Sequence, residues 1–214
     1  MRKLLLLAAV AAMVPASAQA VSIVNGSFEM ATVNPGGGFV TLGNGDASIT
    51  GWIVGGLGID YIGGYWQPAD GKRSIDLSGN NKGSISQLLS GLTVGKEYTV
   101  NFSLAGNPDG GSASKLAVVS DGGSQADGYF FVQAGNTKPN MGWTREQFKF
   151  IATGTTANLT FSATKFDAFG PALDNVSLGG VPEPSTWALM IVGFGVVGGA
   201  MRRRNATRTT VRFA

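Results

Sequence analysis

Between residues 21 and 180, apolar side chains recur at every second position in short runs, and glycine-containing turns end each run before it grows long. A period of two is that of a pleated strand with one face buried, so this stretch should fold as sheet rather than helix. The clearest run is Tyr98-Val100-Phe102-Leu104, with Thr99, Asn101 and Ser103 on the opposite side. Leu159-Phe161-Ala163 and Phe148-Phe150-Ala152 repeat it, and Ile75-Leu77, Ile85 with Leu88, Leu116-Val118 and Phe130-Val132 are shorter versions. Asn25-Gly26, Gly36-Gly37-Gly38, Asn44-Gly45, Pro108-Asp109-Gly110-Gly111 and Asp121-Gly122-Gly123 punctuate them. Some nine to eleven short strands in roughly 160 residues predict an all-β, antiparallel β-sandwich of jelly-roll type.

Neither Cys nor His occurs, which removes disulfides, thiol nucleophiles, thiolate zinc sites and imidazole bases, a Ser-His-Asp triad included. The glycine runs lack the Gly-Lys-Ser/Thr ending of a phosphate loop and the strand-helix setting of a dinucleotide fingerprint. The net charge of +3 divides unevenly: residues 21–180 hold nine Lys/Arg against twelve Asp/Glu, a net of −3. All the excess positive charge therefore lies at the ends, and the body offers no basic surface for nucleic acid.

Those ends have the form of sorting signals. Arg2 and Lys3 precede an apolar run from Leu4 to Val14, then Pro15 and two A-x-A sites, which predicts a signal peptide over 1–20 with cleavage after Ala20. That feature implies the Sec machinery and signal peptidase. At the other end, Pro182-Glu183-Pro184 leads into an uncharged stretch from Trp187 to Met201, closed by Arg202, Arg203 and Arg204. Pro184 suits a helix's first turn, where its missing N–H would be unpaired anyway. The stretch reads as one C-terminal transmembrane helix with a cytoplasmic tail at 205–214, although at about 1.5 Å per residue it rises only roughly 22 Å. Gly195 and Gly199 give it a GxxxG spacing.

Pro182-Glu183-Pro184-Ser185-Thr186-Trp187-Ala188 with the apolar stretch and arginines resembles the PEP-CTERM protein-sorting signal in its PEPxxWA form, over 181–204. The resemblance implies handling by an exosortase of an exopolysaccharide-producing Gram-negative bacterium: transient membrane anchoring, then cleavage and delivery to the envelope surface or medium. The ten residues after the arginines are longer than that pattern usually shows.

Residues 21–180 carry a second resemblance. Asn25-Gly26-Ser27-Phe28-Glu29, Gly51-Trp52, Gly71-Lys72-Arg73-Ser74-Ile75-Asp76-Leu77, Gly83-Ser84-Ile85-Ser86-Gln87, Gly95-Lys96-Glu97-Tyr98 and Gly170-Pro171-Ala172-Leu173-Asp174-Asn175-Val176 follow in an order similar to the choice-of-anchor C family. That likeness implies a galactose-binding-like sandwich. It also implies that Glu29 and Asp174, on the first and last strands, hold a structural Ca²⁺, with Asp76 a further candidate. Tyr61, Tyr65 and Trp66, beside Asp60 and Gln67, form an aromatic cluster suited to stacking on sugar rings, as in exopolysaccharide; the alternative is that Trp52, Tyr61 and Trp66 pack the core or its loops. The expected role is structural, adhesive or glycan-binding rather than enzymatic. A glycosidase using paired carboxylates from Glu29, Asp60, Asp76 and Asp174 is the competing reading.

Overall fold

The computed structural model describes residues 21–111, 114–133, 135–179 and 184–204, in two units, Met1–Leu178 and Gly179–Ala214. The expected signal peptide and the 205–214 tail lie outside the described residues, as do Pro182 and Glu183 of the sorting motif.

Eleven described strands are divided between two sheets. In chain order they are β1 (Phe39–Leu42), β2 (Ile53–Gly56), β3 (Ile59–Ile62), β4 (Ser74–Asp76), β5 (Gly83–Ser90), β6 (Glu97–Gly106), β7 (Ser114–Ser120), β8 (Ala126–Val132), β9 (Thr144–Ile151), β10 (Thr156–Ala163) and β11 (Pro171–Gly179). One sheet runs β1-β3-β4-β11-β6-β9 and the other β2-β5-β10-β7-β8, and both are antiparallel. The expected all-β sandwich is the fold.

Its core follows from the alternation. Val100, Phe102 and Leu104 of β6, Phe148 and Phe150 of β9, and Leu159 and Phe161 of β10 are buried, together with Phe28, Trp52 and Tyr61. Three short runs face differently from their expectation. On β5 the inward set is Ile85, Gln87 and Leu89, and Leu88 is exposed, because residues three apart on a strand lie on opposite faces. On β7 the buried residues are Lys115, Ala117 and Val119, leaving Leu116 and Val118 half-buried outside. Phe130 and Val132 of β8 are likewise outside and exposed.

Part of the six-stranded sheet is covered on both faces. Beyond the main core, Ile62, Trp66, Ala105, Met141 and Ala172 form a second cluster, with Tyr65 and Trp143 packed against it. The loops after β3 and before β9 supply its lid, so this sheet needs no solvated outer face over β3, β4 and β11.

The second unit contains helix α1 (Pro184–Arg204), which holds Pro184, Trp187 and Ala188 of the sorting motif together with Arg202, Arg203 and Arg204. Its Ile191, Phe194 and Met201 side chains are exposed. Among the described residues no helix is long and apolar enough to cross a membrane. The run from Trp187 to Met201 is shorter than a hydrocarbon core of about 30 Å, and glycines dilute it.

Candidate functional site

Glu29 and Asp174 do meet one element, the loop of residues 68–73. Asp174 Oδ2 accepts hydrogen bonds from the Ala69 and Asp70 N–H groups at 2.8 and 2.9 Å, and its Oδ1 accepts from Asn175 N–H. Glu29 Oε1 accepts from the Lys72 and Arg73 N–H groups at 2.6 and 2.8 Å. Gly71 has φ 64°, and a Cβ there would sit 2.3 Å from Glu29 Oε1, so glycine is what lets the loop close on the carboxylate. A calcium ion wants six to eight oxygens, and this loop turns N–H donors, not carbonyls, toward both carboxylates. Among the described residues no group of three or more acidic, His or Cys side chains could hold a metal. The pair as placed fits a loop clamp and does not fit a calcium site.

The aromatic cluster does not form one platform. Tyr61 is buried and its hydroxyl donates to Phe28 O, while buried Trp66 donates from Nε1 to Ser74 Oγ. Neither ring can reach a sugar face. Tyr65 lies nearer the surface, but Lys138 Nζ sits 3.8 Å from its ring centroid, and Asp109 both accepts from its hydroxyl and pairs with Lys138 at 3.1 Å.

Of the carboxylates considered for hydrolysis, Glu29 is exposed and held by the loop clamp, while Asp60, Asp76 and Asp174 are inside. Asp60 and Asp76 face each other across β3 and β4. Asp76 is pushed up to about 8, chiefly by burial; its bonds from Ser78 N–H, Asn107 Nδ2 and Gly170 N–H oppose that, and nearby Asp60 adds to it. Asp60 is raised by burial against its bond from Thr41 Oγ1, and burial carries Asp174 up to about 7. These groups are buried and hydrogen-bonded to backbone or neutral side chains, and none of the three opens onto solvent.

The outer face of the five-stranded sheet is different. Cross-strand register sets out two rows on it, Gly55–Ser84–Ser162–Val118–Gly128 and Ile53–Ser86–Thr160–Ser120–Ala126. No ionisable side chain stands in either row. The corresponding face of β6 and β9, by contrast, carries Glu97, Arg145 and Lys149. Where the first-row strands β2 and β5 meet the N-terminal segment, a groove of about 620 Å³ runs between Val21, Val24, Ile53, Ser86, Leu88 and Asn158. Gln87 fixes that segment, accepting from Val24 N–H and donating to Val24 O and Gly51 O. Ile53 and Leu88 stand exposed on its walls. Sequence reasoning missed this surface, although its signal was present: the polar halves of β5 and β10 are Ser, Thr and Asn with no charge.

Residues 21–179 match the family described as "Protein of unknown function (DUF642)", and residues 180–204 match the PEP-CTERM protein-sorting motif. Halomucin of Haloquadratum walsbyi (strain DSM 16790 / HBSQ001) is 32% identical over 187 residues, which is 82% of this chain; the chain spans about 2% of the length of that relative. Among solved structures, TmCBM61 in complex with beta-1,4-galactotriose is 19% identical over 72% of this chain and 94% of its own, with a TM-score of 0.40. A family 16 carbohydrate binding module is 16% identical over 74% and 99%, at 0.44. The CBM35 from Paenibacillus barcinonensis is 13% identical over 66% and 99%, at 0.46.

Proposed function

The chain belongs to the DUF642 family and ends in a PEP-CTERM sorting motif for export to the cell envelope, and from that premise we propose that its sandwich holds a neutral glycan on the outer face of the five-stranded sheet. The observation that carries the reading is that uncharged, hydroxyl-lined face with its groove. Short Ser and Thr side chains leave a flat floor of donors and acceptors, complementary to a polyhydroxylated chain. Ile53 and Leu88 add apolar contact for the C–H faces of the sugar, and no fixed charge has to be desolvated. Release of the mature protein by an exosortase would deliver this face to the surface as an adhesive or structural matrix component.

Affinity electrophoresis against a panel of neutral and anionic polysaccharides tests the reading. Neutral polymers should retard the protein, and Ser86→Asp or Thr160→Asp should abolish that retardation without changing the melting temperature. Retardation that survives both charges sinks the face as the site, and loss on Tyr65→Ala instead would restore the aromatic patch near Lys138.

A further inference from the structure

The two sheets have four edge strands: β1 and β9 in one, β2 and β8 in the other. An edge offers unpaired backbone N–H and C=O groups to any passing strand, and natural proteins blunt edges with short length, charge, proline or bulges. β1 and β2 are four residues each, and β2 ends in Gly55-Gly56 with Gly56 at φ 64°. β9 carries Arg145, Glu146 and Lys149. β8 is neither short nor bulged nor interrupted by proline. Its seven residues, Ala126–Val132, pair with β7 in an unbroken register with no bulge. They contain one charge, Asp127, and neither Lys nor Pro. Phe130 and Val132 are 75% and 68% exposed.

We propose that β8 pairs antiparallel with β8 of a second copy of this chain, about a two-fold axis through Tyr129 and normal to the sheet. The strand's own pattern selects a copy of itself. In the register centred on Tyr129, residue 126 lies opposite 132, 127 opposite 131 and 128 opposite 130. Each exposed Phe130 then meets the partner's Gly128 on the outer face, where the absent side chain leaves room for a ring. A Cβ at Gly128 would meet Leu116 Cδ1 at 3.2 Å and no other atom within 4 Å, so only the movable end of that leucine borders the position in the single chain. The Asp127 of each copy lies roughly 13 Å along the strand from the other, so like charges do not meet. Such an interface is isologous and closes at two copies, because each β8 has only one free edge.

An axis normal to the sheet keeps both outer faces on the same side. The pair forms one ten-stranded sheet presenting two uncharged floors together. Pairing does not rest on the glycan reading. Where that reading holds, the dimer engages one polymer at two points, and effective concentration multiplies the affinity.

The chain's lack of cysteine makes the register testable. In the full-length protein in mild detergent, Ala126→Cys with Val132→Cys should form a disulfide-linked dimer, since opposed Cα atoms lie about 5 Å apart. Neither single variant should do so, because like positions are roughly 20 Å apart. Sedimentation equilibrium should show a reversible dimer for the unmodified chain and a monomer for Phe130→Lys with Val132→Lys, which changes only exposed positions. Helix α1 is present in every variant, so association through it would survive those lysines. A monomer at all concentrations, a dimer that persists with both lysines, or cross-linking of the single-cysteine variants each overturns the proposal.

Discussion

Asp76 shows how far a residue's chemistry is set by placement rather than type. In the unfolded chain its carboxyl titrates near 3.8, and in the folded protein burial holds it up to about 8. Between those values the folded state keeps a proton that the unfolded state has lost. Stability is therefore fully present below the unfolded pKa and declines as pH rises toward 8, by up to about 1.4 kcal/mol per pH unit for one such group. Asp174, raised to about 7, acts in the same direction over a shorter window. The melting temperature of the wild type should fall from pH 5 to pH 8.5, and Asp76→Asn should flatten that slope while lowering stability throughout, because with its oxygen kept on the Ser78 and Gly170 N–H groups, the NH2 that replaces Oδ2 cannot accept the bond from Asn107 Nδ2. Equal slopes for the two proteins would refute the assignment. The Glu29–Asp174 clamp yields a second expectation: EDTA should leave the melting temperature unchanged, and a clear drop would return calcium to these carboxylates. Their selection from sequence found a joint of the fold, and the partners the structure gives them there are backbone N–H groups. Sequence order suggests that the segment before β1 and the strand β11 meet near one place, but it does not reveal that they do so through the 68–73 loop or whether that loop offers N–H or C=O groups.

At the level of strands, the alternation was readable where one face alone was apolar, as on β6, β9 and β10. It misled on β7, where Leu116 and Val118 compete with Ala117 and Val119, and Lys115 falls on the buried side. That ammonium is kept inside by the carbonyls of Gly110 and Phe169, contacts made by loops far along the chain from β7 or by the turn before it. Local pattern cannot weigh them. The segments that carried the family resemblance proved to be joints. Asn25, at φ 53°, bonds Met30 and Thr50 through its side chain, Trp52 Nε1 donates to Asn25 O, and Val176 N–H donates to Gly26 O. A Cβ on Gly26 would lie 1.7 Å from Val176 O. Gly26→Ala should thus cost about 2–3 kcal/mol by forcing the first segment off β11, read as a lower denaturant midpoint with unchanged m. A change below the measurement error would show that this joint yields freely.

On the scale of the whole chain, the separation of charge makes processing measurable without knowing a ligand. The intact protein has a pI near 9.3. Removing residues 1–20 takes away Arg2 and Lys3, which lowers the net charge from +3 to +1 and leaves the chain still positive. Removing the C-terminal segment as well takes the five terminal arginines and Glu183, leaving residues 21–180 at −3. The two processing states therefore fall on opposite sides of neutrality, a difference that isoelectric focusing resolves directly. The surface-located product should focus in the acidic range in cells with the sorting enzyme and near or above neutrality in cells without it, with mass spectrometry fixing the new C-terminus close to the Pro182-Glu183-Pro184 motif. A surface form that still focuses above neutrality and retains Arg202, Arg203 and Arg204 would mean that the helix stays with the protein. The short, glycine-diluted span argues against that outcome: fifteen uncharged residues serve better as a segment recognised and removed than as a permanent hold in a bilayer. An acidic product also bears on the ligand. A body of net −3 disfavours polyanions, which is consistent with the neutral glycan proposed for the serine-lined face.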